Sequence, residues 1–430
     1  MNKLLVAGAA LAALSATALP ASARTSPQPA PAVSLASTSA TAGALRTARP
    51  TRALWLNGPR ATAAAQSLID ILRRAPLDGM ASGPAIAAQA QGLMQRAAAG
   101  DTASAIQAER LLSEAWVRYV QTIRRPTAGM DYADHWAAPR QSTPAKILAE
   151  AVAAPSLAEH VARIAAVNPV YSQLRDSAWS DMQVTGQLPD QAALDTLAKA
   201  RNAPSQKRYI IVDAHSANLW MIENGRIVGS MPVITGAEDS ETPMIASTIY
   251  YATLNPYWNV PKDLVQTLIA PRVVEQGIGY LTERNYEVLA SYDKDAEVID
   301  PASVDWKAVA AGRTVVKLRR QPGQWNSMGK MKFGFANDSD IFLHDTPNKE
   351  LFEKEDRKLS HGCIRLSDAK RLATWMLGRD PSLSGDEPEQ HVALPSPVPI
   401  YVTHLDAEVS GGRIALAKRS SGAVQVAGLR

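Results

Sequence analysis

The chain has 430 residues, 46% of them hydrophobic, and a formal charge of +4 at pH 7, enough for two or three domains with sizeable cores. No basic cluster is interleaved with aromatics, which argues against nucleic acid, while the mild positive excess suits work beside an anionic envelope polymer. A single cysteine, Cys363, excludes an internal disulfide framework and directs attention to thiol chemistry.

In chain order, Met1-Asn2-Lys3, an apolar run from Leu4 to Leu19 and Pro20-Ala21-Ser22-Ala23 form the pattern of a signal peptide over 1–23, cleaved after Ala23 or retained as an anchor. No later segment offers about 18 uninterrupted apolar residues, so no stable membrane span is expected. Export to the periplasm of a Gram-negative cell is the expectation. Residues 24–50 are Ala, Ser, Thr and Pro with almost nothing bulky and apolar, and read as a disordered lead.

Over 51–200 apolar residues recur at helical spacing, as in Leu68-Ile69-Ile71-Leu72 and Leu111-Leu112, Ala115-Trp116, Tyr119-Val120. This predicts an all-helical domain, with Trp116, Trp136 and Trp179 as core residues. Leu77-Asp78-Gly79-Met80 and Asn168-Pro169-Val170-Tyr171 read as helix-ending turns.

At Arg208 the period changes to alternation. Tyr209 to Val212 and Leu219 to Ile222 are β-rich, and Asn224-Gly225 signals a two-residue hairpin. Further strands are expected at Ile249 to Leu254, Thr314 to Leu318, Met331 to Phe335, Ile341 to His344, Pro399 to Thr403 and Arg413 to Ala417. A helix from Ala369 to Leu377, N-capped by Ser367 and closed by Gly378, is predicted among them. The fold class is therefore α+β: a helical domain, then a mostly antiparallel β domain over 208–408, then a strand and tail over 409–430. Residues 262–318, with a helical stretch from Leu264 to Glu275, read as an inserted cap over a site.

The chemistry centres on Ser360-His361-Gly362-Cys363-Ile364-Arg365. A free thiol has a pKa of about 8.5, so a working cysteine needs a neighbour that takes its proton. His344 ends a predicted strand, and the following loop to Leu359 is long enough to bring Cys363 beside it. Gly362 permits close backbone approach, and amides around Gly362 and Cys363 suit an oxyanion at an attacked carbonyl. A buried, idle thiol and a zinc site are the competing readings of these residues. His135, His160, His215 and His391 lack a constellation, and His404 follows a strand near the site. Arg365 either binds a substrate carboxylate or pairs with Asp368.

At these residues the chain resembles the L,D-transpeptidases of the YkuD type, marked by a strand-end histidine followed by Ser-His-Gly-Cys-x-Arg. Matching runs include Thr242-Pro243-Met244, Asn255 to Pro261, Arg320-Gln321-Pro322-Gly323, Asn326 to Gly329, Lys332-Phe333 and His344-Asp345-Thr346-Pro347. They look like the larger periplasmic branch, with a helical scaffold domain in front and a capping subdomain inserted. The resemblance implies Cys363 as nucleophile, His344 as base and Asp345 acting mainly through its backbone carbonyl. His361 and Gly362 would shape the oxyanion hole, and Ser360 and Arg365 would meet substrate. Trp258 and Tyr257 are either aromatic lining or ordinary strand-end packing. The implied substrates are peptidoglycan stem peptides as donor and acceptor, and no metal or other cofactor is implied. The bond formed stays open, between two diaminopimelates or from another donor such as L-alanine. A carboxypeptidase that trims stems and a non-catalytic wall-binding scaffold are the alternatives.

Overall fold

A computed structural model describes residues 53–201, 206–293, 295–381 and 387–417. The expected signal peptide, the lead over 24–50 and the tail beyond Ala417 lie outside the described residues. Among the described residues, no helix is long and apolar enough to cross a membrane.

Among the described residues seven helices precede the strand-rich region: α1 (Pro59–Arg74), α2 (Gly83–Ala98), α3 (Thr102–Ile123), α4 (Pro144–Ala153), α5 (Leu157–Ala166), α6 (Pro169–Thr185) and α7 (Gln191–Ala200). Side chains satisfy the free amides at five of their starts, namely Asp101, Thr143, Ser156, Asn168 and Asp190. Asn168-Pro169 therefore begins a helix rather than ending one. Asn168 Oδ1 accepts the Tyr171 N–H at 2.8 Å, and proline at the first helical position gives up no needed donor. Leu68, Ile69 and Leu72 of α1 share a core with Leu112, Trp116 and Tyr119 of α3. Trp136 and Trp179 are only partly buried, unlike Trp116.

The helical region is not purely helical. A two-residue strand, β1 (Asp131–Tyr132), pairs in parallel with a strand of the following domain. That domain contains β2 (Arg208–Asp213), β3 (Asn218–Glu223), β4 (Arg226–Gly236) and β5 (Ile245–Leu254). An insert then supplies β6 (Trp258–Val260), β7 (Tyr286–Leu289), β8 (Val298–Ile299) and β9 (Lys317–Arg320). The chain returns with β10 (Met331–Gly334), β11 (Phe342–His344), β12 (Lys358–Ser360), β13 (Ile364–Leu366) and β14 (Gln390–Thr403). A last hairpin, β15 (Ala407–Ser410) and β16 (Arg413–Leu416), reaches back to α6, where Gln173 accepts the Ile414 N–H at 3.0 Å.

The main sheet runs β1-β5-β10-β11-β13-β4-β3-β2-β14, and β14 also pairs β5, so the sheet closes on itself. Most neighbours are antiparallel, but β1–β5, β11–β13, β12–β4 and β14–β2 are parallel. Asn224 and Gly225 both take positive φ, 51° and 75°, the twist that a two-residue hairpin between β3 and β4 requires. Helix α8 (Ala369–Leu377) packs Leu372 and Met376 against Phe333, Leu343, Ile364 and Leu366. Its cap is Asp368, not Ser367: the Asp368 carboxylate accepts the Arg371 N–H at 2.9 Å.

The insert has its own antiparallel sheet, in the order β6-β9-β7-β8, and its own core around Val265, Ile269, Leu281, Val288 and Leu318. Because β6 pairs with β9, it reaches beyond 262–318 to take in Trp258 and Arg320.

Candidate active site

The site grows from the register of two parallel strands. Leu343 lies opposite Ile364 and His344 opposite Arg365. Strand alternation sends Leu343, Ile364 and Leu366 into the core, all fully buried, and turns His344, Arg365 and the residue before the strand, Cys363, to the other face. On the far side of β11, Lys332 stands opposite His344. The imidazole thus sits between two cations.

His344 is 2% exposed. Its Nδ1 lies 2.5 Å from the Asp345 carbonyl oxygen. A carbonyl can only accept, so Nδ1 carries the hydrogen and a neutral ring keeps its lone pair on Nε2. Burial, then the Arg365 charge, depresses the imidazole pKa to about 3, against the weaker opposing effect of the Asp345 carbonyl. The Asp345 carboxylate faces elsewhere: it accepts the Lys330 N–H at 2.9 Å and pairs with Lys349 at 2.7 Å.

Cys363 is half-buried, and burial pushes its thiol pKa up. Its sulfur sits 3.7 Å from the Asp340 carbonyl oxygen. The resting arrangement is therefore a neutral thiol and a neutral imidazole, with Cys363 just before β13 and His344 on β11, and the sulfur bonds the Asp340 carbonyl and not the His344 ring.

The turn that carries the sulfur is held from below. Ser360 is buried, accepts the Gly362 N–H at 3.2 Å and donates to the Cys363 carbonyl at 2.6 Å. That placement makes Ser360 a brace of the turn rather than a surface for substrate, and it occupies the Gly362 amide. Thr242 donates to the Gly362 carbonyl at 2.7 Å, and the His404 ring donates from Nε2 to the Thr242 carbonyl at 2.6 Å. His404 is thus two hydrogen bonds from the turn. Gly362 takes φ +107°, and a β-carbon there would lie 2.8 Å from Ile341 Cδ1. His361 is exposed.

Arg365 is not paired with Asp368, whose carboxylate is occupied in capping α8. It lines a cavity of about 420 Å³ with Arg320, Gln324, Ser327, Thr346 and Asn348. The aromatic side chain at this cavity is Trp325, 54% exposed. Tyr257 instead lies under the Arg319 guanidinium at 4.1 Å, and Trp258 packs on the core of the insert. Arg320, Trp325 and Lys332 were missed as site residues on the sequence. Arg320 and Lys332 begin matching runs that carried no assigned role, which is the signal available for them. Among the remaining histidines, His160 packs edge-on to Trp116, and His391 bonds Thr253. Among the described residues no group of three or more His, Cys, Asp or Glu is placed to hold a metal ion.

Comparison with known proteins agrees with this geometry in one respect, the kind of domain. The profile of the YkuD L,D-transpeptidase catalytic domain matches residues 207–400, and that of a scaffold domain matches residues 47–177. A Haemophilus influenzae protein named as a candidate L,D-transpeptidase is 28% identical over 223 residues, 50% of this chain and 44% of that one. The chain thus spans less than half the length of that curated relative. Among solved structures, an L,D-transpeptidase from Mycobacterium smegmatis is 14% identical, covering 46% of this chain and 58% of that chain with a TM-score of 0.24. L,D-transpeptidase 3 from Mycobacterium tuberculosis is 12% identical, covering 46% of this chain and 61% of that chain, also with a TM-score of 0.24.

Proposed function

Because the chain carries a YkuD-type L,D-transpeptidase catalytic domain and a scaffold domain, we propose that it crosslinks peptidoglycan stem peptides in the periplasm through a thioester on Cys363. The observation that carries this reading is the Nδ1–H of His344 bound to the Asp345 carbonyl, which leaves Nε2 as an acceptor one strand from the sulfur.

As Sγ adds to the carbonyl of the third stem residue, His344 Nε2 takes the thiol proton. The Gly362 N–H is engaged with Ser360, so the Cys363 amide is the donor of this turn that supports the oxyanion. The imidazolium returns its proton to the departing amine of the terminal D-alanine, and the thioester remains. An amine of a second stem attacks that thioester and releases its proton to His344, and the thiol is restored. Water in place of the amine gives the trimmed stem, the carboxypeptidase outcome.

Incubation with purified muropeptides tests the reading. Crosslinked dimers support transfer, and tripeptides alone mean trimming. A carbapenem should add its mass to the intact protein and fail to do so in Cys363→Ala. If the parent is neither acylated nor turns over any muropeptide, the chain is a binding scaffold and the proposal falls.

A further inference from the structure

We propose that Arg320 and Arg365 form one carboxylate-binding site, which holds a free carboxylate of a stem peptide beside the reacting pair. This deepens, and rests on, the stem-peptide reading above. The two guanidinium groups come from different units, Arg320 from β9 of the insert and Arg365 from β13 of the main sheet, and meet at the same cavity of about 420 Å³.

Arg320 is 8% exposed. Its Nε donates to the Arg284 carbonyl at 2.9 Å, its Nη1 donates to the Trp325 carbonyl, and the Tyr286 ring lies 4.3 Å from the guanidinium carbon. These contacts fix the plane of the fork and leave Nη2 for a ligand. None of them supplies a negative charge.

Nearby cations are treated differently. Arg319, the next residue along β9, pairs with Glu287 at 2.8 Å, Arg284 pairs with Glu283 at 3.3 Å, and Lys349 pairs with Asp345 at 2.7 Å. Among the described residues neither Arg320 nor Arg365 forms an ion pair with a carboxylate. The other polar groups lining the cavity, Gln324, Ser327, Thr346 and Asn348, are neutral. Two partly desolvated cations around one cavity with no counter-charge are costly unless an anion joins them. A planar carboxylate matches the guanidinium fork, and the neutral neighbours can donate to its remaining lone pairs. The cavity volume suits the end of a peptide. Arg365 is in register with His344, and Thr346 is two residues beyond it, so the cavity borders the strand end that carries the imidazole, although neither His344 nor Cys363 lines it.

Calorimetric titration of the full chain carrying Cys363→Ala tests the site without turnover. A tetrapeptide stem should bind at least tenfold more tightly than the same peptide with its carboxyl groups converted to carboxamides. Arg365→Gln, which removes a guanidinium with no internal hydrogen bond to lose, should abolish that preference, and Arg320→Gln should do the same if the insert stays folded. Equal binding of acid and amide by the parent, or an undiminished preference in Arg365→Gln, would overturn the site. If no stem peptide binds, the substrate reading fails and the site is judged on a simple dicarboxylate: glutarate, but not glutaramide, should raise the melting temperature of the parent and leave that of Arg365→Gln unmoved. No glutarate shift in the parent overturns the site as well.

Discussion

His344 and Arg365 stand directly opposite one another on parallel strands, with Lys332 opposite His344 on its other side. Burial first, and then the Arg365 charge, lowers the imidazole pKa to about 3, while burial pushes the thiol up against the opposing pull of Lys332 and Arg365. The resting pair is neutral. The parent, compared with Cys363→Ser, should show no thiolate absorbance near 240 nm at pH 7, and alkylation by iodoacetamide should keep accelerating up to about pH 9 and beyond. A thiolate band with a midpoint below neutrality would contradict the neutral pair.

The bond from His344 goes to the backbone of Asp345, not to its carboxylate. His344→Ala should therefore slow carbapenem acylation and crosslinking by about 10²- to 10⁴-fold, the range for a lost general base. Asp345→Asn keeps the carbonyl and should cost less than about tenfold. Rapid-mixing mass spectrometry of acylation checks both, and a larger loss in Asp345→Asn than in His344→Ala would reverse the assignment.

Gly362→Ala should damage the nucleophile's turn selectively. The new methyl meets Ile341 at a residue with φ +107°. Acylation should fall by at least about tenfold while far-UV circular dichroism is unchanged and Cys363 still reacts with a small disulfide reagent. Parent-like acylation would mean that the turn tolerates the shift.

In the helical region, the fully buried Asp78 carboxylate accepts from the Tyr119 hydroxyl at 3.1 Å, from the Tyr171 hydroxyl and from Arg175 at 3.3 Å. Asp78→Ala leaves the Arg175 charge with only the exposed Asp176 carboxylate at 4.0 Å and should destabilise the domain by about 3–5 kcal/mol. Urea unfolding followed by tryptophan fluorescence would measure it.

Two buried groups give stability opposite pH dependences. Asp213 is fully buried and accepts from the amides of His215 at 3.0 Å and Leu405 at 2.8 Å, yet burial outweighs these bonds and raises its pKa to about 6. Its stabilising contribution is complete below the unfolded value of about 3.8 and is lost as pH rises through about 6. For His344, depressed to about 3, stability is complete above the unfolded value of about 6.5 and is lost as pH falls towards 3. Asp213→Asn removes the first effect alone. Between about pH 3.8 and 6, variant stability relative to the parent should therefore rise by about 3 kcal/mol. Parallel stability curves for the two proteins would show that Asp213 does not titrate in this window.

Local signals carried much of the fold. Asn224-Gly225 states its own hairpin because two consecutive residues must adopt positive φ, and Gly378 closes α8 for the same reason. Helical spacing picked out the α1 and α3 faces that form the first core. Where two local signals lay side by side, their order was misread: Asn168-Pro169 starts a helix, and Asp368 rather than Ser367 caps α8. Strands as short as β12 and β13 offered no periodicity of their own, since three residues complete barely one alternation.

By itself the sequence singled out the candidates for chemistry, because a lone cysteine in a Ser-His-Gly-Cys-x-Arg run and a histidine at a strand end are properties of a few contiguous residues. Only the tertiary structure decided what surrounds each of them. The parallel register of β11 and β13 sets the charge around the imidazole, and the sheet of the insert carries Arg320 to the cavity that Arg365 lines. Register and domain packing are set by contacts between residues distant along the chain, which local spacing does not encode.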